Sequence, residues 1–122
     1  MVGNFSSPAE NTMSEQPSTA HKAFADIAPV LADYTDRVLF GDVWERPGLS
    51  PRDRSLVTVA SLMSRYQANE LQFHLGKALD NGVTREELIE LITHLAFYSG
   101  WPTASTALGV TRRVFAERDA TE

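Results

Sequence analysis

The feature that most limits the fold of this chain is a recurring apolar spacing of three and four residues. It runs from His21 nearly to the C-terminus, and no stretch alternates apolar and polar at every second position. Three-and-four spacing puts one side chain per turn on one helix face, whereas a half-buried strand needs strict alternation. The pattern predicts an all-α domain of about five helices. Phe24, Ile27, Leu31, Tyr34 and Val38 make the first stripe, read as one helix with a buried face. It is expected to end near Phe40-Gly41, with the glycine as a left-handed cap. Asp42 to Leu49 reads as a loop turning at Pro47-Gly48, with Trp44 as an anchor packed on the body of the domain.

Local end signals divide the rest. Ser50 can cap a helix, Pro51 suits its first turn, and Asp53 places negative charge at the positive end of the helix dipole. Leu56, Val57, Val59, Ala60, Leu62 and Met63 make that helix apolar over much of its circumference. A third helix is expected from about Asn69 to Asn81, closed by Gly82. Thr84 followed by Glu87 fits a capping box that opens a fourth, carrying Leu88, Leu91, Ile92, Leu95 and Tyr98 up to Gly100-Trp101-Pro102. A last helix should run from about Thr103 to Glu117, with Ala104, Ala107, Leu108, Thr111, Val114 and Phe115 on its inner face.

A length of 122 residues allows one core. Residues 1–20 are rich in Ser, Pro, Asn, Thr and Glu and have little apolar surface to offset their ordering entropy. They read as a flexible tail, and 21–122 as the folded domain. No apolar run approaches the roughly 20 residues that cross a bilayer, and Met1 to Ala20 lack the pattern of a signal peptide. The expected location is the cytoplasm, away from membranes. A net charge of −5 argues against nucleic-acid binding, since the densest cationic stretch, Arg52, Arg54 and Arg65, is interrupted by Asp53. The chain has no cysteine, which excludes disulfides, thiolate metal sites and sulfur nucleophiles.

Two histidines can carry chemistry. His74 lies three residues after Leu71 and four before Ala78, on an apolar helix stripe, with Glu70 one turn before it. An imidazole oriented by a carboxylate suits proton donation near neutral pH. The same residue also reads as a core or interface histidine satisfied by Glu70 and a carbonyl. His94 repeats the arrangement with Glu90, and both segments have the form ELxxHL. Packed together, two such helices could surround a metal, but the di-iron helix pattern pairs Glu and His at i,i+3 and these stand at i,i+4, so no metal is expected. Arg46, Arg52 and Arg54 flank a loop-to-helix junction suited to an anion, or serve as surface cations paired with Asp42 or Asp53. Ser55 has no activating base beside it in sequence. Phe97, Tyr98 and Trp101 fit a pocket lining, core or subunit interface.

From Phe40 to Pro102 the chain resembles the carboxymuconolactone decarboxylase family. The matching words are Gly41-Asp42-Val43-Trp44, Arg46-Pro47-Gly48-Leu49 and Arg54-Ser55-Leu56-Val57-Thr58-Val59-Ala60, then Glu70-Leu71, His74-Leu75 and Ala78-Leu79-Asp80-Asn81-Gly82-Val83-Thr84. Glu87-Leu88 and His94-Leu95 through Tyr98, Gly100 and Pro102 complete them. The resemblance implies an AhpD-like helical domain of five to six helices, assembled as a homo-trimer or homo-hexamer. It implies a carboxy-lyase that uses no cofactor and acts on a small carboxylated lactone such as 4-carboxymuconolactone, in aromatic-compound catabolism. His74 would transfer the proton, Glu70 would orient it, and Arg46 or Arg54 would clamp a carboxylate. Ser55, His94 and Trp44 would complete the substrate site. The alternative is a non-catalytic, oligomeric ligand-binding member of the family. Relatives with peroxidase activity carry a Cys-x-x-Cys pair where Gln67 and Glu70 stand here, so that activity is not expected. Lactone decarboxylases tend to have arginine where Gly76 stands, which leaves the substrate open.

Overall fold

The computed structural model describes residues 18–121, and among them every regular element is a helix. The predicted tail falls largely outside these residues, although Thr19 and Ala20 already belong to the first helix. The chain divides between Gly48 and Leu49 into two compact units. That point lies in the loop predicted between Asp42 and Leu49.

The N-terminal unit holds α1 (Thr19–Phe24), α2 (Pro29–Tyr34), a π-helical segment (Thr35–Phe40) and a 3-10 turn (Val43–Glu45). The Ser18 hydroxyl opens α1 by accepting from the His21 N–H at 3.0 Å. One continuous helix to Phe40 was the expectation, but the chain breaks after Phe24 and restarts at Pro29. Proline has no N–H to continue the ladder, and its ring drives the residue before it out of the helical region. Ala28 accordingly sits at φ −140°, ψ 66°. The predicted stripe is not buried either: Ile27 is 83% exposed and Leu31 55%, whereas Ala32 is fully buried. Gly41 also departs from expectation. Its φ of −84° is right-handed, and the position needs glycine because a Cβ would stand 2.6 Å from the Arg37 carbonyl oxygen.

The C-terminal unit is a four-helix bundle of α3 (Pro51–Ser64), α4 (Ala68–Asp80), α5 (Arg85–Ser99) and α6 (Trp101–Thr121). Its packed sides are α3 on α4, α4 on α6, α6 on α5 and α5 on α3, so α4 and α5 occupy opposite corners. Val59, Met63, Leu75, Leu88, Ile92 and Val114 form the centre of one core, each at most 4% exposed. The predicted caps are present. Ser50 accepts from the Asp53 N–H at 3.0 Å, and both arms of the Thr84–Glu87 box are made, at 2.9 and 3.0 Å.

Helices α3 and α4 end in the same way. Tyr66 N–H reaches the Met63 carbonyl and Gln67 N–H the Leu62 carbonyl, as Gly82 and Val83 reach Leu79 and Ala78. These are Schellman motifs, which need a left-handed residue just past the helix. Gly82 meets that need freely at φ 98°, while Tyr66 adopts φ 59° against the clash of its own Cβ.

Helix α6 begins two residues earlier than expected, because Pro102 stands in a first turn where its missing N–H costs nothing. It also runs to Thr121, and its end is tied down by two ion pairs, Arg85–Asp119 and Arg118–Asp80. Among the described residues no helix is long and apolar enough to cross a membrane.

Candidate functional site

His74 lies in the middle of α4, on the edge of the face that carries buried Leu71, Leu75 and Ala78. The helix places it there because Leu71 and Ala78 flank it at three and four residues, one turn on either side. The ring is half-buried, and the Phe73 ring meets it edge-on, with centroids 4.9 Å apart and planes at 89°. Burial pushes the imidazole down to a pKa of about 4; the Lys77 ammonium lowers it further and the Glu70 carboxylate opposes both. His74 is therefore neutral at pH 7, whereas sequence reasoning expected a proton donor. In this state it accepts a proton before it can give one.

Glu70 and Lys77 stand on either side of His74 along α4, Glu70 exposed and Lys77 half-buried. Sequence reasoning paired His74 with Glu70 but passed over Lys77. The i,i+3 spacing from His74 was the signal that could have found it.

His94 is placed elsewhere. It is exposed on α5, the corner diagonal to α4, with its ring centroid 5.0 Å from that of Tyr98. It borders an open groove of about 450 Å³ between α3 and α5. Leu56, Ala60, Leu91 and Leu95 form the apolar lining, and Arg52, Glu87, Glu90 and His94 supply the polar groups. Arg52 and Glu87 are ion-paired there. The Thr84 N–H and Arg52 together hold the Glu87 carboxyl below its ordinary range. His74 is not part of this groove. Among the described residues no three His, Cys, Asp or Glu side chains converge as metal ligands would.

Ser55 is fully buried on α3, where its hydroxyl accepts from the Asn81 side-chain amide at 3.1 Å. This contact ties α3 to the end of α4, and the hydroxyl faces packing. Arg54, its neighbour, is half-buried. Arg46 and Trp44 belong to the N-terminal unit. Trp44 is buried at 8% exposure, with its ring 6.1 Å from that of Phe40, and Arg46 is exposed just past the 3-10 turn.

Residues 29–113 match the carboxymuconolactone decarboxylase family. The chain is 42% identical over 83 residues to 4-carboxymuconolactone decarboxylase of Acinetobacter baylyi, covering 68% of this chain and 62% of that protein. It is 39% identical over 74 residues to nitrosuccinic acid decarboxylase npaB of Metarhizium robertsii, covering 61% and 52%. An uncharacterized 15.0 kDa protein from the nqo9-nqo10 intergenic region of Paracoccus denitrificans is 27% identical over 100 residues, 80% of this chain and 75% of that one. The match thus spans 62% and 52% of the lengths of the two named decarboxylases. With the family match extending from Pro29 across the bundle to Arg113, this chain belongs to the carboxymuconolactone decarboxylase family.

Proposed function

We propose that this chain decarboxylates a small carboxylated acid without a cofactor, 4-carboxymuconolactone being the first candidate. The observation that carries the reading is the half-buried His74 held on one helix stripe between Glu70 and Lys77. Two similar proteins named as decarboxylases, one of 4-carboxymuconolactone and one of nitrosuccinic acid, support it. Both named substrates hold an electron sink beside a carboxylate, an unsaturated lactone in one and a nitro group in the other.

In the lactone the bond between ring carbon and carboxylate breaks, carbon dioxide leaves, and the electron pair enters the conjugated lactone as a dienolate. One proton from solvent must then reach carbon. A neutral imidazole cannot supply it at once. A bound anion beside the ring favours the imidazolium by Coulomb attraction, as does Glu70, so substrate binding itself charges His74 for donation. Glu70 orients the ring, and Arg54, on the helix packed against α4, clamps a substrate carboxylate. Ser55 and His94 stand outside this constellation, the first engaged by Asn81 and the second on the diagonal helix. A homo-oligomer is part of the reading: Phe97, Tyr98 and Trp101 are 63–78% exposed, a cluster that a partner subunit would cover.

The test is incubation of purified protein with 4-carboxymuconolactone, following carbon dioxide release and the product by mass spectrometry. Wild type should turn the compound over, and His74→Ala should abolish turnover while remaining folded. Ligand-dependent stabilisation without product would instead identify the non-catalytic member of the family.

A further inference from the structure

We propose that Lys77 is a substrate-binding residue, whose ammonium holds a second carboxylate of the substrate beside the His74 ring. This assignment rests on the decarboxylase reading and on a substrate with two carboxylates, as 4-carboxymuconolactone has. Glu70, His74 and Lys77 follow one another at four and three residues on α4. At 100° per residue the three fall within about 60° of one another around the helix. Lys77 is half-buried one turn from His74, close enough for its charge to act on the ring.

The chemistry needs a cation at that place. A dicarboxylate that loses one carboxyl group must be gripped by the other, because a cation on the leaving group holds back the electron pair that has to depart. A grip on the retained carboxylate does not. In this assignment Arg54 of α3 would grip the same retained carboxylate as Lys77, so that the departing group meets no cation. Lys77 also keeps the empty site from protonating His74 early: its charge disfavours the imidazolium until a bound dianion outweighs it.

The test uses succinate as an inert dicarboxylate, titrated into the full chain while the His74 ring proton is followed by NMR. Wild type should show a saturable shift, with the His74 midpoint rising when succinate is bound. Lys77→Gln should weaken binding about tenfold or more, and Lys77→Arg should stay within about threefold of wild type, as loss or retention of one charge-assisted contact implies. Acetate, which has one carboxylate, should bind both Lys77→Gln and wild type alike. If succinate leaves His74 unmoved in wild type, or binds Lys77→Gln as tightly, the assignment is wrong. Turnover separates the two proposals. Turnover with an unchanged KM in Lys77→Gln rejects the lysine and keeps the decarboxylase. Succinate binding that depends on Lys77, without turnover of any lactone, does the reverse.

Discussion

Replacing His74 by glutamine should remove a pH dependence of stability that the buried imidazole imposes. In the unfolded chain histidine takes a proton near pH 6.5, and in the fold His74 resists doing so until about pH 4. Its folded pKa is the lower one, so below pH 6.5 the unfolded state binds the extra proton. Stability then falls with pH down to about 4, flattens below that, and is unaffected by this group above 6.5. At about 1.36 kcal/mol per pH unit the difference sets a ceiling of roughly 3 kcal/mol. The ring is only half sheltered, and solvent screening brings the expected loss to about 1–2 kcal/mol. Urea unfolding of wild type and His74→Gln at pH 7.5, 6, 5 and 4.5 reads it directly. The gap in free energy should change by that amount in favour of the variant as the pH falls. Glu87 and Asp119, whose carboxyl groups are held below their ordinary range, lose their contribution in more acidic solution and are common to both proteins. Parallel profiles between pH 7.5 and 4.5 would refute the reasoning.

Three further outcomes follow from the bundle. Tyr66→Gly should stabilise the protein by up to about 1 kcal/mol by relieving a left-handed aromatic residue, whereas Gly82→Ala at the matching position should cost about 1–2 kcal/mol; opposite shifts in Tm check the pair. Leu75→Ala, at a fully buried position, should cost about 2–5 kcal/mol in denaturant unfolding. Thr84→Ala should cost about 1 kcal/mol through loss of the capping box, with amide exchange quickened at the start of α5.

The features legible in the sequence were those decided within a few residues. Ser50-Pro51, Thr84 with Glu87, and Gly82 each act on their own turn, and each stands where expected. The break at Pro29 was local as well, but the apolar spacing of Phe24, Ile27, Leu31 and Tyr34 keeps its phase across it and masks the interruption. The π-helical segment at Thr35–Phe40 leaves no mark in side-chain periodicity, and no residue type announces the left-handed Tyr66. Periodicity also names an apolar face without naming what covers it, which is why Leu31 and Tyr98 read as buried and are exposed. The candidate site was half visible. His74 with Glu70 follows from one helix. The pairing of Ser55 with Asn81, and the separation of His94 from His74 on diagonal helices, depend on how α3, α4 and α5 pack, which spacing along the chain does not encode.

The most direct test of proton delivery to carbon after decarboxylation is to run the reaction in deuterium oxide and examine the product by NMR. The account predicts one deuterium on the ring carbon next to the lactone carbonyl, where the dienolate is protonated, in wild type and not in His74→Gln. Recovery of unchanged 4-carboxymuconolactone from wild type, or equal deuterated product from His74→Gln, would contradict it.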